Sequence, residues 1–292
     1  MIITNHSNLP QPLFEAVSND SYSKGKADIS VTQLLDPPRK VALTEQHWDE
    51  ITEDCSDRIW SLVGQVMHGI LERANTTGVA ERRLYVKCAG WTVSGSQDAY
   101  YANGLLQDYK FVTSWKFKGG KAPIEYEAQA NLYAELLRAN GHPVRKLQIV
   151  AILRDWSKIE ASRDPEYPQK QVMIINVPLW PEADAQKFMR ERVILHQQAR
   201  VELPLCTAEE RWAKPDVFAV MAQGKARAVK LYESEEEAHA HASQNPAYFV
   251  QKRPGESTRC KHYCSAAKFC SLYQAIQESK DDQPALGKQA AS

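Results

Sequence analysis

The chain has 292 residues, of which 43% are apolar and 25% charged, as in a globular protein that buries a full core. Its 36 basic and 36 acidic residues balance, which excludes an overall basic surface, so any phosphate binding must come from a local groove. No apolar run approaches the roughly 20 residues of a membrane span, and the first 20 residues lack the pattern of a signal peptide. We therefore expect a cytoplasmic protein with no membrane partner.

Residues 1–28 are polar and show little periodicity, and we interpret them as an N-terminal arm. Residues 29–205 alternate between helical and strand patterns. The predicted elements are a helix over 56–74, strands over 82–88, 91–101 and 105–112, a helix between Pro123 and Asn140, strands over 147–153 and 172–177, and a helix over 181–201. This order predicts an α/β fold with a central mixed β-sheet flanked by helices.

Residues 206–275 have a different character and predict a small α+β extension. A hairpin is expected around Gln223-Gly224, followed by a short helix over 234–243 and a strand over 248–252. The extension ends in a cap that contains three cysteines, and residues 276–292 have the composition of a tail.

Two acidic residues lie on neighbouring predicted strands. Asp98 comes near the end of one strand, and Asp108 and Lys110 lie two apart on the next, so these two side chains share a face. A two-residue hairpin at Asn103-Gly104 would put the two carboxylates on opposite faces, whereas a three-residue loop with Gly104 in the left-handed region would set Asp98 opposite Asp108. We predict the second geometry, in which both carboxylates can bind one Mg²⁺ ion.

Four short motifs occur in order along these elements. They are Gly64-Gln65-Val66-Met67-His68, Gly95-Ser96-Gln97-Asp98, Asp108-Tyr109-Lys110 and Gln129-Ala130-Asn131-Leu132-Tyr133. Each motif alone is common, but together they resemble the PD-(D/E)XK nuclease superfamily, in particular its RecB-like exonuclease branch, over residues 30–192. The resemblance implies a restriction-endonuclease-like core.

The resemblance also implies a metal site. His68, Asp98 and Asp108 would be ligands of Mg²⁺, with the backbone carbonyl of Tyr109 as a further oxygen, and Mn²⁺ would substitute. Such a cation makes a bound water easier to deprotonate. Glu81, at the start of a strand, is either an additional acid near the metal or a solvated strand end.

Three further residues complete the catalytic set that the resemblance implies. Lys110 lies beside two carboxylates that would keep it protonated, which favours stabilisation of charge over a role as general base. Gln129 and Tyr133 are four residues apart on a helix and share a face. They would position either the DNA strand or Lys110; packing of the helix on the sheet is the alternative.

The segment after the second acidic strand combines aromatic and basic residues around Gly119-Gly120. Its side chains suit base stacking and phosphate contact with a single strand, namely Trp115, Lys116, Lys118 and Lys121. A solvated loop with incidental lysines is the alternative.

The three C-terminal cysteines, Cys260, Cys264 and Cys270, resemble the cysteine trio of iron–sulfur members of the same branch. A 4Fe–4S cluster usually has four thiolate ligands, and prolines at 37–38 stand where the family has the fourth. The alternatives are an iron–sulfur cluster completed by Cys55 or Cys206, a Zn²⁺ site with His262, or a packed cap without metal.

The resemblance implies a Mg²⁺-dependent DNA exonuclease that acts on DNA ends in recombination, replication or repair. Stand-alone chains of this kind resemble phage or prophage proteins, which implies a single-strand-annealing recombination protein as a partner. Two alternatives are a structure-specific endonuclease on the same core and a non-cleaving DNA-binding module.

Overall fold

The structure, a computed structural model, describes residues 1–19, 24–75, 79–80 and 82–281. The chain divides into two compact units. The first comprises Met1–Val41 and Thr52–Leu203, and the second comprises Ala42–Ile51 and the described part of Pro204–Ser292. Within the described ranges, none of the helices combines the length and apolar character that crossing a membrane requires.

The first unit contains most of the helices and strands. In chain order they are β1 (Ile2–Thr4), α1 (Gln11–Ser18), β2 (Ile29–Ser30), α2 (Val31–Leu35), α3 (Pro38–Gln46, divided between the units), β3 (Thr52–Asp54), α4 (Ile59–Ala74), β4 (Val79–Ala80), β5 (Arg83–Cys88), β6 (Trp91–Ser96), β7 (Ala99–Tyr100), β8 (Leu105–Val112), α5 (Ile124–Ala139), β9 (Lys146–Leu153), α6 (Lys158–Arg163), β10 (Val172–Val177) and α7 (Glu182–Ala199). Short 3₁₀ helices precede α4 and follow β8.

The central sheet of this unit has the strand order β10-β9-β8-β7-β4. β8 and β9 run parallel and are connected through α5, while the other neighbours are antiparallel. Leu147, Ile149, Ala151 and Leu153 of β9 are buried, as expected for a central strand. The α/β fold with a mixed sheet flanked by helices is therefore confirmed.

Local sequence signals explain where the helices begin and end. Ser30 and Gln33 form a capping box at the start of α2. Pro123 precedes α5, and Gly141 follows it with a φ of +82°, a conformation that glycine adopts without strain. These are the signals by which the sequence predicted the helix between Pro123 and Asn140.

The single strand predicted over 91–101 is instead two strands in different sheets. β6 pairs with β2 and β5, whereas β7 pairs with β4 and β8. The break falls at Gln97-Asp98, where the Gln97 side chain is buried. Periodicity could not reveal this, because both halves alternate in the same way and only their partners differ.

The predicted arm contains paired structure within residues 1–19 of its described part. β1 pairs in parallel with β3, and the Asp54 carboxylate accepts hydrogen bonds from the His6 backbone N–H (2.6 Å) and from the hydroxyl of Ser7 (2.8 Å). The start of the chain is thus tied to the segment that leads into α4.

The second unit has the α+β composition that the sequence predicted. It contains β11 (Val217–Ala222), β12 (Lys230–Tyr232), α8 (Glu235–Ala242), β13 (Tyr248–Arg253), α9 (Thr258–His262) and α10 (Ser271–Asp281). β11 is the middle strand of an antiparallel sheet, and α8 covers one face of it. The 42–51 segment joins this unit, since His47 stacks on Phe269 at 4.0 Å and Lys268 Nζ donates to the Glu50 carbonyl.

The packing of α5 on β6 depends on Gly95. A Cβ at this position would lie 2.7 Å from both Tyr133 Cε1 and Leu136 Cδ1, closer than such atoms approach in proteins. The absence of a side chain therefore lets α5 lie against the strand and sets the position of Tyr133.

We expect Gly95→Ala to destabilise the protein by about 1–3 kcal/mol, because the added methyl group overpacks the contact between strand and helix. Gly64→Ala is the matched control: Gly64 lies inside α4 and an added Cβ there meets no atom within 4 Å. Gly64→Ala should stabilise the protein by about 0.5–1 kcal/mol, because alanine loses less conformational entropy than glycine when the chain folds. Urea unfolding of both variants tests this, and equal effects would contradict the role of Gly95.

Candidate active site

The hairpin between β7 and β8 has the three-residue loop. Ala99 pairs with Gln107 and Tyr100 with Leu106, the Tyr101 N–H donates to the Leu105 carbonyl, and Gly104 has a φ of +84°. This register, continued by one residue, places Asp98 opposite Asp108.

The Asp98 carboxylate connects β8 with α4. Its Oδ2 accepts a hydrogen bond of 2.6 Å from the Tyr109 backbone N–H, and its Oδ1 lies 3.1 Å from His68 Nδ1. The hydrogen bond to Asp98 raises the pKa of His68 against the opposing effect of burial. Because the N–H and C=O of a strand residue point to the same edge, the Tyr109 carbonyl also faces the Asp98 side.

Asp108 and Lys110 form a buried pair. Lys110 Nζ lies 2.8 Å from Asp108 Oδ2, and the two side chains are 16% and 4% exposed. Burial raises the pKa of Asp108 to about 6, although the charge of Lys110 opposes the shift. Burial alone would lower the pKa of Lys110, but the Asp108 carboxylate outweighs it and raises that pKa above its usual value. Lys110 is therefore a permanent cation, which fits electrostatic stabilisation and not general-base chemistry.

α5 holds Lys110 in place through a chain of hydrogen bonds. Lys110 Nζ donates to Gln129 Oε1 at 2.7 Å, and Gln129 Nε2 donates to the Tyr133 hydroxyl at 3.0 Å. Burial and the neighbouring Asp108 raise the pKa of Tyr133 to about 12, so its hydroxyl stays protonated. The structure thus brings together the six predicted side chains His68, Asp98, Asp108, Lys110, Gln129 and Tyr133.

Tyr126 is a member of this cluster that the sequence analysis missed. Lys110 Nζ lies 5.0 Å and Lys116 Nζ 5.2 Å from the centre of its ring, and Lys116 also donates to its hydroxyl. The available signal was spacing: residues 126, 129 and 133 recur at helical intervals on one face of α5.

The donor set suits a hard divalent cation. Asp108 Oδ2 is buried, and the Lys110 ammonium lies 2.8 Å from it. Mg²⁺ is usually held by one or two carboxylates and keeps several waters, so Asp98, Asp108 and the Tyr109 carbonyl fit it. In the described part of the chain, no three His, Cys, Asp or Glu side chains are already arranged around one point. Glu81 lies outside the described residues.

The aromatic and basic residues of the segment after β8 differ in their exposure and in their partners. Trp115 is 70% exposed, whereas Phe117 is fully buried. Lys118 Nζ lies 2.9 Å from Asp164 and 4.0 Å from Glu166, so its charge is largely compensated. Lys121 is exposed. Trp115 and Lys121 are therefore exposed, Lys118 is exposed but ion-paired, and Lys116 faces Tyr126.

The three C-terminal cysteines lie near one another in the second unit. Burial raises the pKa of Cys260, and the neighbouring Cys264 and Cys270 raise it further, while Arg211 and Arg259 oppose the shift. His262 lies 3.6 Å from a Glu256 oxygen, and the Arg211 side chain donates to the Cys206 carbonyl. Cys55 belongs to the first unit, where its thiol donates to Asn5. Metal binding by the trio stays a prediction.

No protein-family model matches the sequence, and no curated protein matches it. Among solved structures, the chain is similar to SSO0001, with 20% identity and a TM-score of 0.44 over 63% of this chain and 84% of that one. It is also similar to a Eubacterium rectale protein named "Putative exonuclease", with 13% identity and a TM-score of 0.32 over 56% of this chain and 62% of that one. Similarities this distant carry no functional argument, so function must be argued from the side chains.

The raised pKa of Asp108 predicts how cation binding depends on pH. A protonated carboxyl group cannot bind the cation, so affinity for Mn²⁺ should fall about tenfold per pH unit below roughly 6 and level off above it. Titration of Mn²⁺ followed by electron paramagnetic resonance measures this.

Two variants separate Asp108 from His68, another group of the cluster whose pKa is raised. Asp108→Asn should bind Mn²⁺ weakly and show a flat profile between pH 5 and 7, whereas His68→Gln should keep the inflection. An inflection that disappears with His68→Gln and persists with Asp108→Asn would assign the titration to His68 and contradict the prediction.

Proposed function

We propose that the chain is a metal-dependent deoxyribonuclease that hydrolyses phosphodiester bonds. The observation that carries this proposal is the buried Asp108–Lys110 pair, with Asp98 opposite Asp108 directly before the start of β7. Two carboxylates that can hold a hard cation, beside a fixed cationic side chain that can stabilise developing negative charge, suit the hydrolysis of a phosphodiester.

Each residue of the cluster has a defined task in this proposal. A bound Mg²⁺ would supply a Lewis acid that polarises the phosphate and lowers the pKa of water. Asp98 and Asp108 would hold that ion, and His68 fixes the orientation of the Asp98 carboxylate. Lys110 would stabilise the negative charge that develops on the scissile phosphate. Gln129 keeps the ammonium group of Lys110 at its position.

The more specific part of the proposal is that the enzyme is an exonuclease that acts on DNA ends in recombination, replication or repair. The exposed Trp115 and Lys121 next to β8 support contact with a DNA strand. Phage origin, an annealing protein as partner and a metal in the cysteine cap are expectations that rest on the motif resemblance alone.

Purified protein should degrade end-labelled linear DNA with Mg²⁺ or Mn²⁺ and leave a covalently closed circle of the same sequence intact. Asp108→Ala and Lys110→Ala should each abolish cleavage, because they remove a metal ligand and the charge stabiliser. Circular dichroism should show that both variants stay folded.

The order in which label is released from the two ends would give the polarity. Cleavage of the closed circle would show that the enzyme is an endonuclease and not an exonuclease. Wild-type cutting by Asp108→Ala, or no cutting of either substrate by the wild type, would refute the proposed activity.

Gln129→Leu should lower the single-turnover cleavage rate about 10- to 100-fold with little change in DNA affinity, because Lys110 loses the acceptor that positions it. Gln186→Leu is the matched control: the Gln186 side chain is likewise held by hydrogen bonds, which it donates to the Glu135 and Glu182 carboxylates, away from the cluster. Equal rates for Gln129→Leu and the wild type would show that Gln129 does not position Lys110.

A further inference from the structure

An exposed tryptophan stacks with an arginine at one end of the central sheet. The guanidinium carbon of Arg154 lies 3.8 Å from the centre of the Trp60 ring, and the Trp60 side chain is 57% exposed. Among the described residues, no carboxylate lies within 4.0 Å of Arg154 to neutralise its charge. A tryptophan in this position buries little apolar area, so packing of the core does not explain it.

The backbone connects this pair to the catalytic cluster. Arg154 directly follows β9, and its N–H donates to the carbonyl of Val112, the last residue of β8. Asp108 lies four residues earlier on β8, about 13 Å away along the strand at roughly 3.3 Å per residue. Trp60 lies eight residues before His68 on α4, about 12 Å along the helix.

A second exposed aromatic residue belongs to the same end of the sheet. The Ser114 N–H donates to the Asp155 carboxylate at 2.6 Å, which ties the segment bearing Trp115 to the residue after Arg154. Two accessible indole rings, one of them stacked with the Arg154 guanidinium, thus lie beyond the carboxyl ends of β8 and β9, on the continuation of the strand that bears Asp108 and Lys110.

These groups define the chemistry of a ligand. An accessible aromatic face takes up a flat, unsaturated ring, and a guanidinium beside it attracts a phosphate. In a stacked strand, at about 3.4 Å per nucleotide, the distance from Asp108 corresponds to about four nucleotides. A paired base offers no free face to an indole ring, whereas an unpaired base does.

We propose that Trp60 and Arg154 form a subsite for an unpaired nucleobase and its phosphate, a few nucleotides from the scissile bond. The inference rests on the proposed function. It adds that the chain grips a single-stranded segment of its DNA substrate through stacking on Trp60, with Arg154 contacting the backbone of the strand. The position of this subsite makes it a determinant of preference for single-stranded over fully paired ends.

An abasic scan tests the subsite. The full-length chain with Asp108→Ala, which should bind without cutting, is titrated with a DNA hairpin whose duplex stem fixes the register of a single-stranded overhang. One abasic position in the overhang should weaken binding about 5- to 150-fold, the range expected for one stacked base. Adding Trp60→Leu should remove the sensitivity at that position, and Trp60→Phe should keep it.

Further variants separate stacking from other causes. Trp48→Leu removes a comparably exposed tryptophan of the second unit, 51% accessible, and should leave the scan unchanged. Arg154→Gln should reduce the slope of log affinity against log salt by about 0.7, the value for one phosphate of a single strand.

Several results would overturn the inference. The first is a scan without a sensitive position, and the second is a sensitive position that persists in Trp60→Leu. The third is a loss of affinity in Trp60→Leu that is as large for a blunt hairpin as for the hairpin with an overhang. Because the scan measures binding alone, it is independent of cleavage. If the scan shows a sensitive position that Trp60→Leu removes, the subsite stands even when the wild-type chain does not cut DNA. That combination of results would refute only the proposed nuclease activity.

Discussion

The buried pair of Asp108 and Lys110 is the interaction on which the arrangement of the site depends. Burying an isolated charge costs several kcal/mol, so each member of the pair stabilises the other, and Lys110 also donates a hydrogen bond to Gln129 of α5. The pair lies on β8, between β9 and the short β7. The strand that carries the chemistry is thus paired along its whole length with β9.

Close packing transmits this constraint to the neighbouring elements. Gly95 lets α5 lie close to β6, and this close approach positions Tyr133. Tyr133 in turn accepts a hydrogen bond from Gln129, which binds Lys110. On the other side of β8, Asp98 binds the Tyr109 backbone and faces His68. α4 and α5 thus each contribute a polar contact to the same cluster.

Local features of the sequence predicted much of the geometry of this cluster. Alternation on β8 placed Asp108 and Lys110 on one face, and the Asn103-Gly104 turn was consistent with two loops, of which the structure has the three-residue one. The same reasoning was wrong about the strand over 91–101, because a change of sheet at Gln97-Asp98 leaves the alternation unchanged. It also missed Tyr126, whose role depends on two lysines from outside its helix.

The sequence by itself determined the α/β alternation, the helix ends at Pro123 and Gly141, and the identity of the acidic strand pair, since these follow from periodicity and turn chemistry within a few residues. Only the tertiary structure decided which charges remain free: Lys118 is compensated by Asp164, whereas Arg154 meets the ring of Trp60. It also placed residues 42–51 with the second unit. Such contacts join side chains many residues apart, and local pattern carries no information about them because they form only when the elements pack.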